Sequence, residues 1–430
     1  MGIIPGGLLM AERLIFHVDV NSAFLSWTAV YRVKVLGDTL DLRNVPSVIG
    51  GDRESRKGIV LAKSTPAKRF GIRTGEPLGT ALEKCPSLIV AKADYGLYVD
   101  ASRAFISILH DFSPDVEQCS IDEAWVDMTG TAQLYGSAMT AAGLIQRRMR
   151  EELGFTVNVG ISSNKLLAKM AGDLEKPDKI HTIFPEEIPK KMWPLPVGDL
   201  FLVGHATETK LKAMGIYTIG DLATADPALI QRRLHKPGIT LWHFANGRCS
   251  DQICSIPRDN KGYGNSVTLP ADIASRGEAC QVLLSLCETV GMRMRRDGKK
   301  GRCVTVHLRT PDFRDISRQC QLESVTDVTK ELYDVACALF DALWDQNTPL
   351  RQLGVQVTRI SEDYGRQFSF FEQGYGARYD RMAKMDRAVD ALREKYGESV
   401  IFRARFADQV DRQLAGGLSK ERRTNVTKPV

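Results

Sequence analysis

The chain has 430 residues, 43% hydrophobic, 26% charged and 7% aromatic, with Lys+Arg 58 against Asp+Glu 52 and a formal charge of +6. At roughly 150 residues per domain this is about three domains, each able to bury a core, and the composition excludes disorder, collagen and coiled coil. No apolar run approaches the roughly 20 residues that span a bilayer, and Met1 to Met10 lacks the features of a signal peptide, so a cytoplasmic protein without a membrane partner is expected.

Leu14 to Val20 is an apolar run with Asp19 near its end, which predicts a buried strand carrying a carboxylate at its tip; Asn21-Ser22 then open a helix. Ser47 to Gly50 and Gly58 to Ala62 predict short strands around the charged loop Asp52 to Lys57. Thr65 to Gly71 predicts a helix with Pro66 in its first turn and Gly71 after its end. Tyr98 to Phe112 has helical spacing, and Val116 to Met128 reads as two strand pieces flanking Ser120-Ile121-Asp122-Glu123. Ala138 to Leu153 predicts a basic amphipathic helix, Thr156 to Ile161 a strand, and Ser163 to Leu174 a helix with Lys165, Lys169 and Lys176 in it or just beyond. Strand and helix alternate as in an α/β domain, assembled from two pieces because the small basic segment interrupts it.

Pro185 to Pro196 holds four prolines in twelve residues, a linker signature. Leu200 to Ala223 then reads as helix, turn, helix, closed by Gly215-Ile216-Tyr217-Thr218-Ile219-Gly220-Asp221-Leu222. It resembles the helix-hairpin-helix modules that grip DNA backbones through exposed amides, with Gly204 in the hairpin and His205-Ala206 where a second glycine is usual. A small helical bundle without a ligand is the plain alternative. From Lys261 the pattern becomes strand, helix, strand, strand, helix, strand, a second α/β sandwich ending near Ile360. Its stretch Arg293 to Arg302 carries Arg293, Arg295, Arg296, Lys299, Lys300 and Arg302 against the single acid Asp297. A solvated loop would explain such a stretch, but its density favours phosphate contacts. The nine cysteines include no Cys-x-x-Cys pair, which predicts reduced, mostly buried thiols and neither a disulfide framework nor a zinc site.

Asp19, Asp122 and Glu123 stand at the ends of apolar strands, where a carboxylate without a counter-ion is costly. Two divalent ions clamping a phosphoryl transfer need carboxylates that bridge them, and Mg²⁺ completes its shell with water and phosphate, so three suffice. Singly, each acid could as well be a solvated or capping residue.

Phe16 to Phe24, Ser120-Ile121-Asp122-Glu123-Ala124 and Val159-Gly160-Ile161-Ser162-Ser163-Asn164-Lys165 together resemble the three palm signatures of the Y-family translesion DNA polymerases, of the bacterial DNA polymerase IV and UmuC-like branch. The resemblance runs in order from Leu14 to Ile360. It implies a right-hand fold of mixed α/β and α modules: a palm in residues 14–23 and 92–184, fingers in 24–91, a helix-hairpin-helix thumb in 185–255 and a DNA-binding α/β little finger in 261–361. It also implies an error-prone, template-directed DNA polymerase without proofreading, a monomer acting on primer-template DNA and dNTPs with two Mg²⁺ per active site. Asp19, Asp122, Glu123 and the Val20 carbonyl would be the metal ligands, Phe24 the steric gate against a 2′-hydroxyl, and Lys176 a triphosphate contact.

Several positions depart from the family pattern. Thr65 and Lys68 stand where a tyrosine and an arginine usually clamp the triphosphate, and lysine offers a point charge in place of a bidentate fork. Ala23 stands where a second aromatic is common, and Gly50, Gly51, Gly58 and Ala62 suggest a roomy contact with the nascent base pair. Gln367-Phe368-Ser369-Phe370-Phe371 resembles the peptide by which bacterial polymerases dock on the sliding clamp. Beyond it, residues 379–396 predict a charged surface helix, and Lys420 to Lys428 is a basic tail. Two other classes compete: a polymerase-like scaffold, which would lose the acids, and a nucleotidyl cyclase, for which the thumb and little finger have no purpose.

Overall fold

In the computed structural model the described residues are 13–51, 58–250, 252–255, 259–362, 375–397 and 400–406. Strand β1 (Ile15–Val20) is buried at every position. It turns through Ser22, held at φ 49° and ψ 50°, into helix α1 (Ala23–Lys34). A small segment follows, with β2 (Ser47–Gly50), β3 (Val60–Lys63), α2 (Thr65–Lys68), α3 (Leu78–Lys84) and β4 (Ile89–Lys92). Its sheet runs β3-β2-β4 over a core of its own that includes Val48, Val60, Ile72 and Leu78. The Ser64 hydroxyl caps α2 by accepting from the Ala67 N–H, and Pro66 sits in the first turn, where its missing donor does no harm.

The chain then returns to the first body with α4 (Tyr95–His110), β5 (Val116–Gln118), β6 (Glu123–Asp127), α5 (Ala138–Arg148), β7 (Val157–Ser162), α6 (Lys165–Asp173) and β8 (Ile180–Thr182). The sheet order is β5-β6-β1-β7-β8, so β1 lies in the middle, antiparallel to both neighbours. The central strand of this sheet therefore comes from before the small segment, and its neighbours from after it. Phe16, Val18 and Val20 point into one core with Phe105, Val126 and Val159, and burying each such side chain contributes about 1.5–3 kcal/mol. Gly160 is required where it stands: a Cβ there would lie 1.9 Å from the Ala168 carbonyl oxygen, because α6 packs directly on β7.

A helical part follows, with α7 (Ile188–Lys191), α8 (His205–Lys212), α9 (Ile219–Thr224) and α10 (Pro227–Ala245). Thr218 and Asp221 form a capping box at α9. Helix α10 lies in a stretch for which the sequence yielded no element; the backbone accommodates Pro237 by bending at His235, which has φ 57°.

The second α/β body has β9 (Gly262–Ile273), α11 (Arg276–Arg296), β10 (Lys300–Arg309), β11 (Asp315–Thr326), α12 (Thr329–Leu343) and β12 (Leu350–Ser361), in the predicted order. Its antiparallel sheet runs β11-β10-β12-β9. Helices α11 and α12 supply Leu283, Leu286, Leu332 and Phe340 to the core with sheet residues Val304, Val306 and Val355, while Arg302, His307 and Gln356 are exposed on the strands.

Helix α13 (Tyr375–Tyr396) corrects the expectation of a purely surface helix. Tyr379 and Ala383 pack on Val328, and Asp386 and Arg393 are buried. The alternating charge includes a docking face built of ion pairs, which a helical charge pattern read alone does not distinguish from a solvated one. The cysteine expectation is also corrected in part: all nine are free thiols, but only Cys85, Cys280, Cys287 and Cys303 are buried, and Cys254 and Cys320 are exposed. No helix among the described residues is long and apolar enough to cross a membrane.

Candidate active site

Asp19 and Glu123 are partners in the β1–β6 register, so their side chains emerge side by side on one face of the sheet. Asp122 joins them because the Val20 N–H donates to its carbonyl, 3.0 Å away, closing the chain around the end of β1. All three acids, with Val20, line a cavity of about 520 Å³ between the first body and the small segment.

The cavity holds its acids in unequal states. Burial raises the Asp19 carboxyl above its ordinary range, outweighing the Lys176 ammonium that donates to it. Burial also raises Asp122, against a 2.7 Å hydrogen bond from the Ser120 hydroxyl and with the Glu123 charge adding to the rise. Burial pushes Glu123 up as well, but His17 and Lys169 more than reverse it and hold Glu123 well below the usual carboxylate range. The Lys169 ammonium donates to Glu123 at 2.9 Å. His17, wholly buried, brings Nε2 to 3.5 Å of the Glu123 carboxylate, longer than an ordinary hydrogen bond.

Carboxylate oxygens crowded at strand ends, two of them carrying an uncompensated burial penalty, suit a hard divalent cation. The donor set fits such ions, and these residues would hold them. The same neighbourhood does not suit a softer metal, although His17, Cys119 and Glu123 place ligand atoms within 4.8 Å of one another. Burial, with Glu123 adding, pushes the Cys119 thiol up to about 12, which keeps it protonated, and the Lys169 ammonium already occupies the carboxylate.

Phe24, Thr65, Lys68 and Lys176 line the same cavity, so the sequence-derived set converges on one place. Phe24 is half-buried, its ring stacked on Tyr98 at 4.5 Å and 8° and edge-on to Tyr95, which fixes its plane against the cavity. Ala23 is buried beside it. Lys176 is carried by a loop tied to the sheet through buried amides that sequence reasoning missed. Asn21 accepts from the Asp178 N–H at 2.9 Å and donates to Asn158 at 3.0 Å, and Asn158 donates to the Glu175 carbonyl at 2.7 Å. Their only sequence signal was the position of Asn21 directly after the strand. Arg43 and Lys63, also on the cavity wall, carried no motif. Gly50 has a different reason for being small than a roomy base-pair contact, since a Cβ there would lie 2.8 Å from Leu78. Gly51 and Gly58 belong to the described residues, the loop 52–57 between them does not.

The basic residues divide. Lys165 is buried, paired to Glu117 at 2.7 Å and lying over the Trp125 ring, so with Lys169 it serves the interior. In the second body Arg295 is turned inward against Asp390 at 2.6 Å and Asp386 at 3.4 Å, and donates to the Asp327 carbonyl. Lys300 is buried beside the Tyr379 hydroxyl, 3.4 Å away, on α13. These two are corrections to the set of phosphate contacts, because acids and an aromatic of α13 cover them. Lys299 pairs with Glu362 and Asp259, and Arg293 lies over the Tyr263 ring and donates to the Gly264 carbonyl. Arg296 and Arg302 are exposed. Gly204 caps the N-terminus of α8, exposed and with nothing in the way of a close approach. The peptide Gln367 to Phe371 and the tail Lys420 to Lys428 lie outside the described residues.

Three family models match the chain: the impB/mucB/samB family over residues 18–173, the IMS family HHH motif over 185–216, and the impB/mucB/samB family C-terminal domain over 260–370. The DNA polymerase IV of Clostridium acetobutylicum is 42% identical over 91% of this chain and 98% of its own. That of Acetivibrio thermocellus is 36% identical over 90% and 95%, and DNA polymerase IV 2 of Bacillus subtilis is 35% identical over 92% and 95%. A solved Y-family DNA polymerase chimera aligns with a TM-score of 0.69 at 22% identity, over 81% of this chain and 100% of the other, a likeness of fold. The chain thus belongs to the impB/mucB/samB family of Y-family DNA polymerases.

Proposed function

We propose that the protein is an error-prone, template-directed DNA polymerase for translesion synthesis, transferring a nucleotide from a dNTP to a primer 3′-hydroxyl with two Mg²⁺ and without proofreading. The observation that carries this reading is the single cavity that gathers Asp19, Asp122 and Glu123 with Phe24, Thr65, Lys68 and Lys176. Divalent ions bound there supply charge neutralisation and a more acidic primer hydroxyl. Asp19, Asp122, Glu123 and the Val20 carbonyl hold them. Lys176, Lys68 and the Thr65 hydroxyl bind the triphosphate, and the N-terminus of α1 offers its amides to the same anion. Phe24 lies under the sugar and excludes a 2′-hydroxyl. Residues 14–23 and 92–184 act as palm, 24–91 as fingers, 185–255 as thumb and 261–361 as little finger, with Gly204, Arg293, Arg296, Lys299 and Arg302 toward the DNA backbone. Gln367 to Phe371 engages the sliding clamp, and the enzyme works in the cytoplasm as a monomer.

A scaffold subunit would not need three desolvated acids in one cavity with their cations. Primer extension with Mg²⁺ and all four dNTPs tests the reading directly: the wild type extends, and unchanged extension by Asp122→Asn or Glu123→Gln would remove the metal assignment.

A further inference from the structure

The phosphate clamp is thin in this chain, because Thr65 and Lys68 occupy its two positions. Lys63 is the last residue of β3, two residues from Leu61 and on the same strand face, and both line the cavity that holds Asp19 and Lys176. Its side chain is partly buried, and its ammonium donates to the Ile72 carbonyl at 2.8 Å. That is its one hydrogen-bond partner among the described residues, so two of its three N–H donors remain for a ligand.

The groups facing Lys63 are Lys68 from α2, Arg73 from the loop after it, and Glu76 and Lys84 beyond. Glu76 is already engaged, accepting from Lys84 at 2.5 Å. Burial lowers the Lys63 ammonium from its ordinary range; Lys68, Arg73 and Lys84 add to the effect and Glu76 opposes it. Cations therefore outnumber acids in a partly desolvated corner, an arrangement that an incoming anion stabilises.

We propose that Lys63 is a further nucleotide-binding residue, contacting the triphosphate of the incoming nucleotide and adding a cationic donor beside the short Thr65 hydroxyl. The proposal rests on the polymerase reading and deepens it. Lys63 lines the cavity from a strand, Lys68 from a helix and Lys176 from the loop after α6, so three cations from separate elements can share one triphosphate without the bidentate geometry of an arginine.

The test uses the full chain with Lys63→Met, which keeps the aliphatic stem, and Lys63→Arg. Steady-state extension is measured on saturating primer-template with varied dNTP, and dNTP binding at equilibrium on a dideoxy-terminated primer. Lys63→Met is expected to raise KM and Kd for dNTP about tenfold with kcat within about twofold. Lys63→Arg binds near the wild-type level and, because a guanidinium does not titrate, holds that binding to higher pH than the wild type does. An unchanged dNTP KM in an extending Lys63→Met enzyme overturns the proposal. So does an effect confined to primer-template affinity, which would make Lys63 a DNA contact. A wild type that fails to extend any primer refutes the polymerase reading itself, a result separable from the other two.

Discussion

Asp19 and Glu123 face each other across the β1–β6 ladder, yet the cavity pushes their proton affinities in opposite directions. Asp19 keeps a burial penalty despite Lys176, while His17 and Lys169 hold Glu123 ionised. Two neighbouring carboxylates in unequal environments are a common arrangement where charge is to be gathered and then shared.

Asp122→Asn and Glu123→Gln are each expected to lower extension by on the order of 10³-fold or more, read by single-turnover kinetics. Their stabilities should differ in sign. The Asp122 carboxyl is raised, so its ionised form burdens the fold above its folded pKa and the burden is relieved as pH falls through it. Asp122→Asn therefore melts at an equal or higher temperature than the wild type near neutral pH, and the gap closes on acidification. A clear loss of melting temperature in this variant would contradict the burial account.

Phe24→Ala is expected to raise ribonucleotide incorporation by orders of magnitude, measured as the ratio of dNTP to rNTP efficiency. The ring also stacks on Tyr98, so the variant loses about 0.5–1.5 kcal/mol of aromatic contact beyond area burial, and Phe24→Leu separates the two effects. Equal discrimination in all three proteins would dismiss the gate.

Arg296→Ala and Arg302→Ala should each reduce the slope of log affinity for DNA against log salt by about 1. Arg295→Ala should leave that slope unaltered and instead destabilise the second body, because it removes the cation paired with Asp390 and leaves Asp386 only Arg403 and the Thr329 N–H. A salt slope that responds to Arg295 and not to Arg296 would reverse the assignment.

Arg393 and Glu288 are both 4% exposed at the side chain and lie 3.1 Å apart. Removing one partner leaves a buried charge, so Arg393→Ala is expected to cost about 3–5 kcal/mol, read by denaturant melting of the second body. Arg403 also pairs with Glu288 and softens the loss. No shift in the melt would mean that α13 does not dock in solution.

Deleting Gln367 to Phe371 should abolish capture by the sliding clamp in a pull-down while leaving extension on short primers intact. Undiminished capture removes the clamp reading.

The order of elements in the second body was readable because its strands alternate and its helices hold a 3.6-residue period over long stretches. The acids stood out because Asp19 lies near the end of an apolar run and Asp122-Glu123 sit between two strand pieces. Helix α10 was not read from the sequence; Pro237 interrupts it, and packing of Ile230, Leu241 and Ala245 into the core holds its two halves together. Asn21 and Asn158 were missed because their work, tying the Lys176 loop to the sheet, joins residues that have no local relation.

The sequence by itself determined the family and the order of the modules, and it singled out the three acids that the fold gathers in one cavity, since motif spacing is a local property of the chain. The tertiary structure decided what the cations do. Lys165, Lys169, Arg295 and Lys300 all lie in basic stretches, but each meets a carboxylate or a tyrosine brought from far along the chain. Whether a lysine or arginine faces phosphate or a buried partner depends on which element folds over it, because desolvation and pairing are set by contacts that no local pattern contains.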